Sequence, residues 1–453
     1  MLDREHRRLT LGVLLSITVV AFNAMGVVTI LPAVARDLGG LSTYGWSVSA
    51  FMLASIAGTV VAGVAADRRG LVAPYAGGLA LFAAGSVLAA SAGDWAVLLA
   101  ARALQGAGNG LLVAVAYVAI ARGYAGALHA RMLALLSSAW IVPSIVGPAL
   151  AGTIADTLSW RVAFLALLPV LALAAALATA GLRRVAAAPA GSATGSAATL
   201  GAALALVAGT ALFLAALDLA DHTPVAAGAL AVAGATVALA SVRRLLPAGT
   251  LRGRAGLPSA VAVRGLLAAA FLGMEAFVPL GLTTLRGLSA AQAGLVMTAG
   301  SLSWSAAAFT AARLDERDRA ARRGRRLRIS MLLLASGVAV AALGILDHDL
   351  PVAVAALGWC IAGGGIGASY STVAAAAFAR TPDGAEGRVS AALQLSETLS
   401  VSVTAGTLGA LVGAGVTGGR PSELALAITF GAGTAVALAA ASLARRAAEP
   451  ARE

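Results

Sequence analysis

The chain has 453 residues, 60% of them hydrophobic and only 11% charged, with a mean hydropathy of +0.90 and a formal net charge of +12. That much apolar side chain exceeds what a soluble core can bury, which excludes a soluble globular or a disordered protein. The positive charge is spread over short segments beside apolar runs, with no soluble domain to hold DNA, so membrane topology rather than nucleic-acid binding accounts for it.

About 20 helical residues cover the hydrocarbon core of a bilayer. Segmenting the chain between charge clusters and glycine or proline breaks then predicts fourteen membrane spans. The first six fall near 10–32, 46–66, 72–92, 95–121, 131–155 and 161–182, two more near 200–220 and 223–244, and six near 259–283, 290–312, 329–347, 351–378, 389–413 and 421–444. The first run follows the charged MLDREHRR but is too long for the apolar region of a signal peptide and leads straight into further spans, so it reads as span 1. The Ala/Gly/Ser/Pro-rich stretch 183–201 interrupts the pattern after span 6. The expected organisation is an N-terminal six-helix bundle (1–182), a linker with two inserted transmembrane helices (183–258) and a C-terminal six-helix bundle (259–453).

All 32 basic residues are arginine. With the arginines at span ends (Arg131, Arg161, Arg243, Arg244) counted to the adjoining connection, the termini and even-numbered connections hold 26 of them, the odd connections four, and the span interiors two. Cytoplasmic loops keep excess basic residues, so the rich side, including LDERDRAARRGRRLR at 314–328, is expected to face the cytoplasm. Both termini then lie there, in a multi-pass protein of the cytoplasmic membrane. The absence of lysine fits a G+C-rich genome and carries no function.

The single cysteine, Cys360, excludes an intramolecular disulfide or a thiolate metal site. His6, His129, His222 and His348 all fall in connections without metal-ligand spacing, and the spans offer no Ser/His/Asp set. No metal, no cofactor and no enzymatic activity are expected.

Polar groups inside the spans carry the chemistry. In LLAARALQGAGNG at 98–110, Arg102 lies seven residues from the outer end of span 4, roughly 10 Å deep at helical rise. An ionisable side chain there costs several kcal/mol unless it faces a wet or protein-lined cavity. Arg102, Gln105 and Asn109 share one helical face, a polar stripe suited to gating, with snorkelling of the arginine as the competing reading. Among carboxylates only Glu275 and Glu397 lie well inside spans. Asp218 is near an end, and Asp67, Asp94 and Asp156 are interfacial. Low dielectric favours the neutral acid, so such a group can release and recover a proton as a cavity opens alternately to each side. Glu275 lies about as deep as Arg102, so the two could meet across a cavity, and Glu397 has Gln394 three residues before it. A structural hydrogen bond between helices is the alternative for each glutamate. Trp140, Phe277 and Trp304 are mid-span aromatics that could touch cargo, although packing or lipid contact competes, whereas Trp95 and Trp160 at span ends suit an interfacial belt. GxxxG spacings at Gly106/Gly110, Gly363/Gly367 and Gly409/Gly413 permit close crossings, but 53 glycines generate some by chance.

Several segments together resemble the major facilitator superfamily, specifically its fourteen-helix drug:proton antiporter branch. GVAADRRG at 63–70 is similar to the family's G-x-x-x-D-R-x-G motif, keeping Gly63, Asp67, Arg68 and Gly70 but lacking the usual following basic pair. Arg102, Gln105, Gly106 and Gly110 match its R-x-x-Q-G pattern. VGPALAG at 146–152 supplies Gly147, Pro148 and Gly152 of the antiporter motif, with Pro143 where the pattern begins with glycine. SWRVAF at 159–164 and FNAMGVVTILP at 22–32 resemble the branch's signatures of helices 6 and 1, with Asn23 where the latter often has aspartate. Asparagine cannot titrate, which moves attention to Glu275 first and Glu397 second. The copy of the span 2 motif in the second half is degenerate around Asp318 and Gly324.

The resemblance implies an all-α integral membrane protein that works by alternating access. Asp67 would act as a cytoplasmic latch, capping a neighbouring helix or pairing with an arginine, or would be a plain solvated acid. The segment around Pro148 would serve as a tight interface between moving bundles. The expected activity is proton-driven efflux of hydrophobic, in some cases cationic, small molecules by a monomer. Its partners would be cargo, protons and lipid. Export of a dedicated metabolite or lipid, or a non-transporting receptor of the same fold, are the alternatives.

Overall fold

In a computed structural model the chain is almost entirely helical. The structure describes residues 4–124, 127–183, 185, 197–220, 223–317, 322–379, 381 and 385–448. Asp318, His222, most of the 183–201 stretch and the side chains of His6 and His129 lie outside them. In chain order the helices are α1 (Arg4–Leu38), α2 (Trp46–Arg69), α3 (Val72–Ala90), α4 (Trp95–Gly123), α5 (Ala127–Ser138), α6 (Ile141–Thr157), α7 (Trp160–Leu165), α8 (Leu168–Leu182), α9 (Ala197–Asp218) and α10 (Pro224–Leu245). They continue as α11 (Leu257–Ala270), α12 (Phe277–Thr284), α13 (Ala290–Arg317), α14 (Arg323–Leu346), α15 (Ala353–Phe378), α16 (Glu386–Ala414) and α17 (Glu423–Ala448). A two-stranded hairpin, Val416–Thr417 with Arg420–Pro421, links the last two through Gly418 and Gly419, both at positive φ. Among the described residues twelve helical stretches are long and apolar enough to cross a membrane, so the chain is a multi-pass membrane protein.

Spans 5, 6 and 9 were expected as single helices, and each is divided. Proline is the reason: it has no N–H for the carbonyl four residues back and its ring crowds that turn. Pro143 leaves the Ala139 carbonyl without its helical donor, the helix stops at Ser138, and Thr18 Oγ1 of α1 donates to that oxygen at 3.4 Å instead. Pro169 has the same relation to Leu165, where α7 ends, and Pro279 to Glu275, in the turn 271–276 between α11 and α12.

Helices α1–α8 pack as one group, with α4 against α2 and α3, and α1 against α6 and α8. Helices α11–α17 form a second, in which α15 lies against α13 and α14 and α11 against α16 and α17. Two seams join the groups, α6 on α13 and α2 on α16, while α9 and α10 pack on each other and α9 reaches α2 and α16 beside the second seam. α10 turns Val225 and Val232 outward, as a lipid-facing helix would.

The glycine pairs that were weak as sequence signals all sit at crossings. A Cβ on Gly106 or Gly110 would strike the Phe51 or Ser55 carbonyl of α2, one on Gly363 or Gly367 the backbone of Gly300 or Trp304 in α13, and one on Gly409 or Gly413 the backbone of Gly45 or Ser42. Backbone against backbone leaves nothing flexible to yield. Gly106→Val is therefore expected to destabilise the protein by about 1–3 kcal/mol or prevent its folding, whereas Gly431→Ala, where a Cβ meets open space, is expected to be neutral. Thermal unfolding of the two purified variants in detergent measures the difference.

Candidate transport site

Asp94 accepts from the Val97 N–H at 2.9 Å and so fixes the start of α4. Two turns further in, Arg102 is almost wholly buried. Its Nε donates to the Ser47 carbonyl of α2 at 3.2 Å, and its Nη1 to Asn23 Oδ1 of α1 at 3.0 Å and Gln105 Oε1 at 2.8 Å. The guanidinium lies 4.3 Å from the centre of the Phe51 ring. Gln105 in turn donates to Ser86 Oγ of α3 at 3.0 Å, and Asn109 to Ser55 Oγ of α2 at 2.8 Å. The stripe expected along α4 thus ties four helices together through neutral oxygens. The expected meeting of Arg102 with Glu275 does not occur, because Asn23, Gln105 and Ser47 take up the guanidinium within its own helix group.

Glu275 sits in the turn 271–276, buried at 8% exposure, and among the described residues its carboxyl has no hydrogen bond or ion pair. The next residue, Ala276, accepts through its carbonyl from Tyr44 Oη at 2.9 Å, across the junction of the two helix groups. Phe277, expected to touch cargo, is instead fully buried with its ring 6.0 Å from that of Tyr44. A side chain closed on both sides by protein has no face left for a ligand in this conformation.

The second glutamate is paired. Glu397 Oε2 accepts from Arg264 Nε of α11 at 2.8 Å, and Tyr370 Oη of α15 lies 3.2 and 3.1 Å from the two carboxylate oxygens. The Arg264 guanidinium lies 3.1 Å from the centre of the Tyr370 ring and donates to the Tyr370 carbonyl at 3.3 Å. Trp304 packs on Tyr370 at 5.5 Å and edge-on to Phe271, which stacks on Trp359 at 4.4 Å. Tyr117 of α4, 42% exposed, lies within electrostatic reach of Glu397 and Arg264 from the other group. Sequence reasoning found Glu397 and Trp304 but missed Arg264, Tyr370 and Tyr117. The available signal was that Arg264 is the second arginine inside a span, and an arginine there demands a partner.

The remaining motif residues sit at the edges. Asp67 pairs with Arg122 in the last turn of α4 at 2.8 Å, so of its two expected partners it takes the arginine, inside its own group. Arg68 is exposed, Gly70 closes α2 at φ +73°, and a Cβ on Gly63 would meet open space. Gly152 abuts the Ala290 carbonyl and the Pro148 carbonyl abuts Gly294, so the antiporter segment forms the α6–α13 seam, while Gly147 lies against Phe22 of α1. Four residues after Gly152, Asp156 accepts from the N–H groups of Ala290 and Ala291 at 3.2 and 2.8 Å, capping α13 from the other group. Trp140 occupies the α5–α6 break, partly exposed. Trp95 and Trp160 are buried rather than lipid-facing: Trp95 lies under Gly40, and Trp160 donates to Asp37 at 3.0 Å, where Arg161 also binds. Among the described residues the hydrogen bonds joining the groups are Tyr44–Ala276, Ser49–Ser402, Thr298–Ile145 and those of Asp156, all toward the side opposite the termini.

A buried arginine network in four helices, a break carrying an acid and two small-residue seams between helix groups are the parts of a membrane carrier. The chain belongs to the Major Facilitator Superfamily, whose profile matches residues 13–405. It is 29% identical over 408 residues to a probable multidrug-efflux transporter of Mycobacterium tuberculosis, covering 86% of this chain and 84% of that protein. It is 32% identical over 159 residues to the multidrug transporter protein MdtP of Bacillus subtilis, a match spanning 35% of this chain and 29% of that protein. A D-xylose–proton symporter superposes with a TM-score of 0.70 at 14% identity, covering 97% of each chain, and an auto-inhibited peptide transporter of the POT family with 0.68 at 16%, also covering 97% of each. These last two show a shared fold.

Arg102→Lys is expected to lower stability by about 1.5–3 kcal/mol per charged hydrogen bond lost, because a compact ammonium cannot span acceptors on three helices. Thermal unfolding in detergent measures it, and an unshifted transition would show that the network does not need the planar fork.

Proposed function

We propose that the chain exports hydrophobic small molecules across the cytoplasmic membrane by proton antiport. The observation that carries this reading is Glu275, a buried acid without a partner, set in a helix break where the two helix groups meet. Enclosing an unpaired carboxylate costs several kcal/mol, so the closed state requires either a proton on Glu275 or a cargo that donates to it. Alternative occupants of one site give exchange. Asparagine at position 23 leaves the middle of α1 with no competing acid, and Glu397 is held by Arg264.

In this reading the chain crosses the membrane fourteen times. The twelve long stretches are joined by two divided spans, α5–α6 and α11–α12. Residues 1–182 and 259–453 are the two bundles that rock about the site, with the α9–α10 pair inserted between them. Both termini lie in the cytoplasm, following the arginine distribution. The seams on the opposite side are joined here, so the conformation is the one that receives cargo from inside. Asp67, Arg68, Gly63 and Gly70 form the latch of the cytoplasmic side, and Trp140 and Trp304 flank the route of the cargo. The protein acts as a monomer, and its multidrug-efflux relatives support the outward direction.

Glu275→Gln mimics the protonated acid permanently. It is expected to abolish gradient-driven cargo movement in proteoliposomes while exchange of cargo down its own gradient persists. Native-like accumulation by this variant would remove Glu275 from the coupling step.

A further inference from the structure

We infer that Arg264 sets the charge selectivity of the transport path: as a tethered guanidinium it fills the carboxylate-and-aromatic cradle that a cargo cation would occupy, so the chain carries uncharged hydrophobic molecules and rejects permanent organic cations. The inference rests on the export reading above and names its cargo class. An organic cation is held by an aromatic face with a carboxylate at its edge. The C-terminal group builds that arrangement here: the Tyr370 ring is the face, Glu397 is the acid, and Tyr370 Oη lies within hydrogen-bond distance of both carboxylate oxygens. The occupant is already present. Arg264 stands 3.1 Å from the ring centre and 2.8 Å from Glu397, and its bond to the Tyr370 carbonyl at 3.3 Å holds it there.

A cation arriving from outside the cradle meets a guanidinium rather than a free carboxylate. The surrounding groups do not offset this. Arg102 adds a second buried positive charge solvated only by neutral oxygens, and Glu275, the other acid well inside a span, alternates with the proton in the export reading. Tyr117 and Trp304 offer apolar ring surface beside the pair, which suits uncharged aromatic or alicyclic cargo.

The test is equilibrium binding to the purified full-length chain in detergent of two probes with similar aryl groups, tetraphenylphosphonium and the neutral triphenylphosphine oxide. The native protein is expected to bind the neutral probe about tenfold more tightly than the cation. Arg264→Ala, which empties the cradle and frees Glu397, is expected to tighten tetraphenylphosphonium binding by about tenfold with neutral binding little changed, and Arg264→Lys to behave as native. Adding Glu397→Gln to Arg264→Ala is expected to cancel the gain, an outcome that loss of packing alone would not produce. Equal or tighter binding of the cation by the native chain would overturn the inference, as would an unchanged probe ratio in a folded Arg264→Ala. Should that variant not fold, the native ratio decides. Binding in detergent involves no gradient, so failure here and failure of proton coupling in Glu275→Gln vesicles are read separately.

Discussion

The interaction on which the rest of the structure depends is the capture of one guanidinium by neutral oxygens from several helices. In hydrocarbon, every polar group must be satisfied by protein. Arg102 meets that demand through Asn23 on α1, Ser47 on α2 and Gln105 on its own helix, and Gln105 passes the tie to Ser86 on α3. Because no acid takes part, these contacts require no change of protonation on either partner. The N-terminal group therefore has the electrostatics of a fixed frame. The C-terminal group handles its charge differently, pairing Arg264 with Glu397 and leaving Glu275 alone. Protonation can change the balance at the second group while the first stays constant, which is the asymmetry a coupled carrier needs.

Proline gives that asymmetry a place to act. Each divided span has a proline four residues beyond a carbonyl that the helix can no longer satisfy. At Ala139 the gap is closed by Thr18, which binds α5–α6 to α1. At Glu275 the proline lies at 279, the break extends over six residues, and the acid sits within it beside the Tyr44 contact to the other group. A break there frees backbone at the depth where the groups touch, so a change of charge on the side chain and a change of helix geometry share one turn.

How much of this was legible in the sequence differs by kind of signal. Hydropathy placed some helix ends closely, with α4 beginning at Trp95 and α15 ending at Phe378, but not the breaks inside spans 5, 6 and 9. Buried ionisable residues were legible as well, since the cost of burial singles out Arg102, Glu275 and Glu397 without a structure. Their partners were not. Which oxygen reaches Arg102, and that Arg264 sits on Tyr370, depend on the rotation of helices far apart in the chain, and helical periodicity fixes only neighbours on one helix. The tryptophans at span ends failed for a related reason. An end-of-span aromatic suits the lipid interface, but Asp37 and Gly40 offered Trp160 and Trp95 protein partners instead.

The two edge acids show how the conformation is held. On the side opposite the termini, Asp156 caps the first N–H groups of α13, a favourable placement of negative charge at a helix N-terminus, and Gly152 and Gly294 let the two backbones come close enough for it to reach. On the side of the termini, Asp67 spends its carboxylate on Arg122 of its own group. The first acid bridges the two helix groups, and the Asp67–Arg122 pair ties α2 to α4 within one of them. The cap on α13 and the small-residue contacts lie in one seam, so separating that seam would break both together. The Tyr44–Ala276 bond also joins the two helix groups on that side and lies one residue from Glu275. The acid's surroundings therefore depend on how the two groups sit against each other, which is the link that the proposed antiport requires.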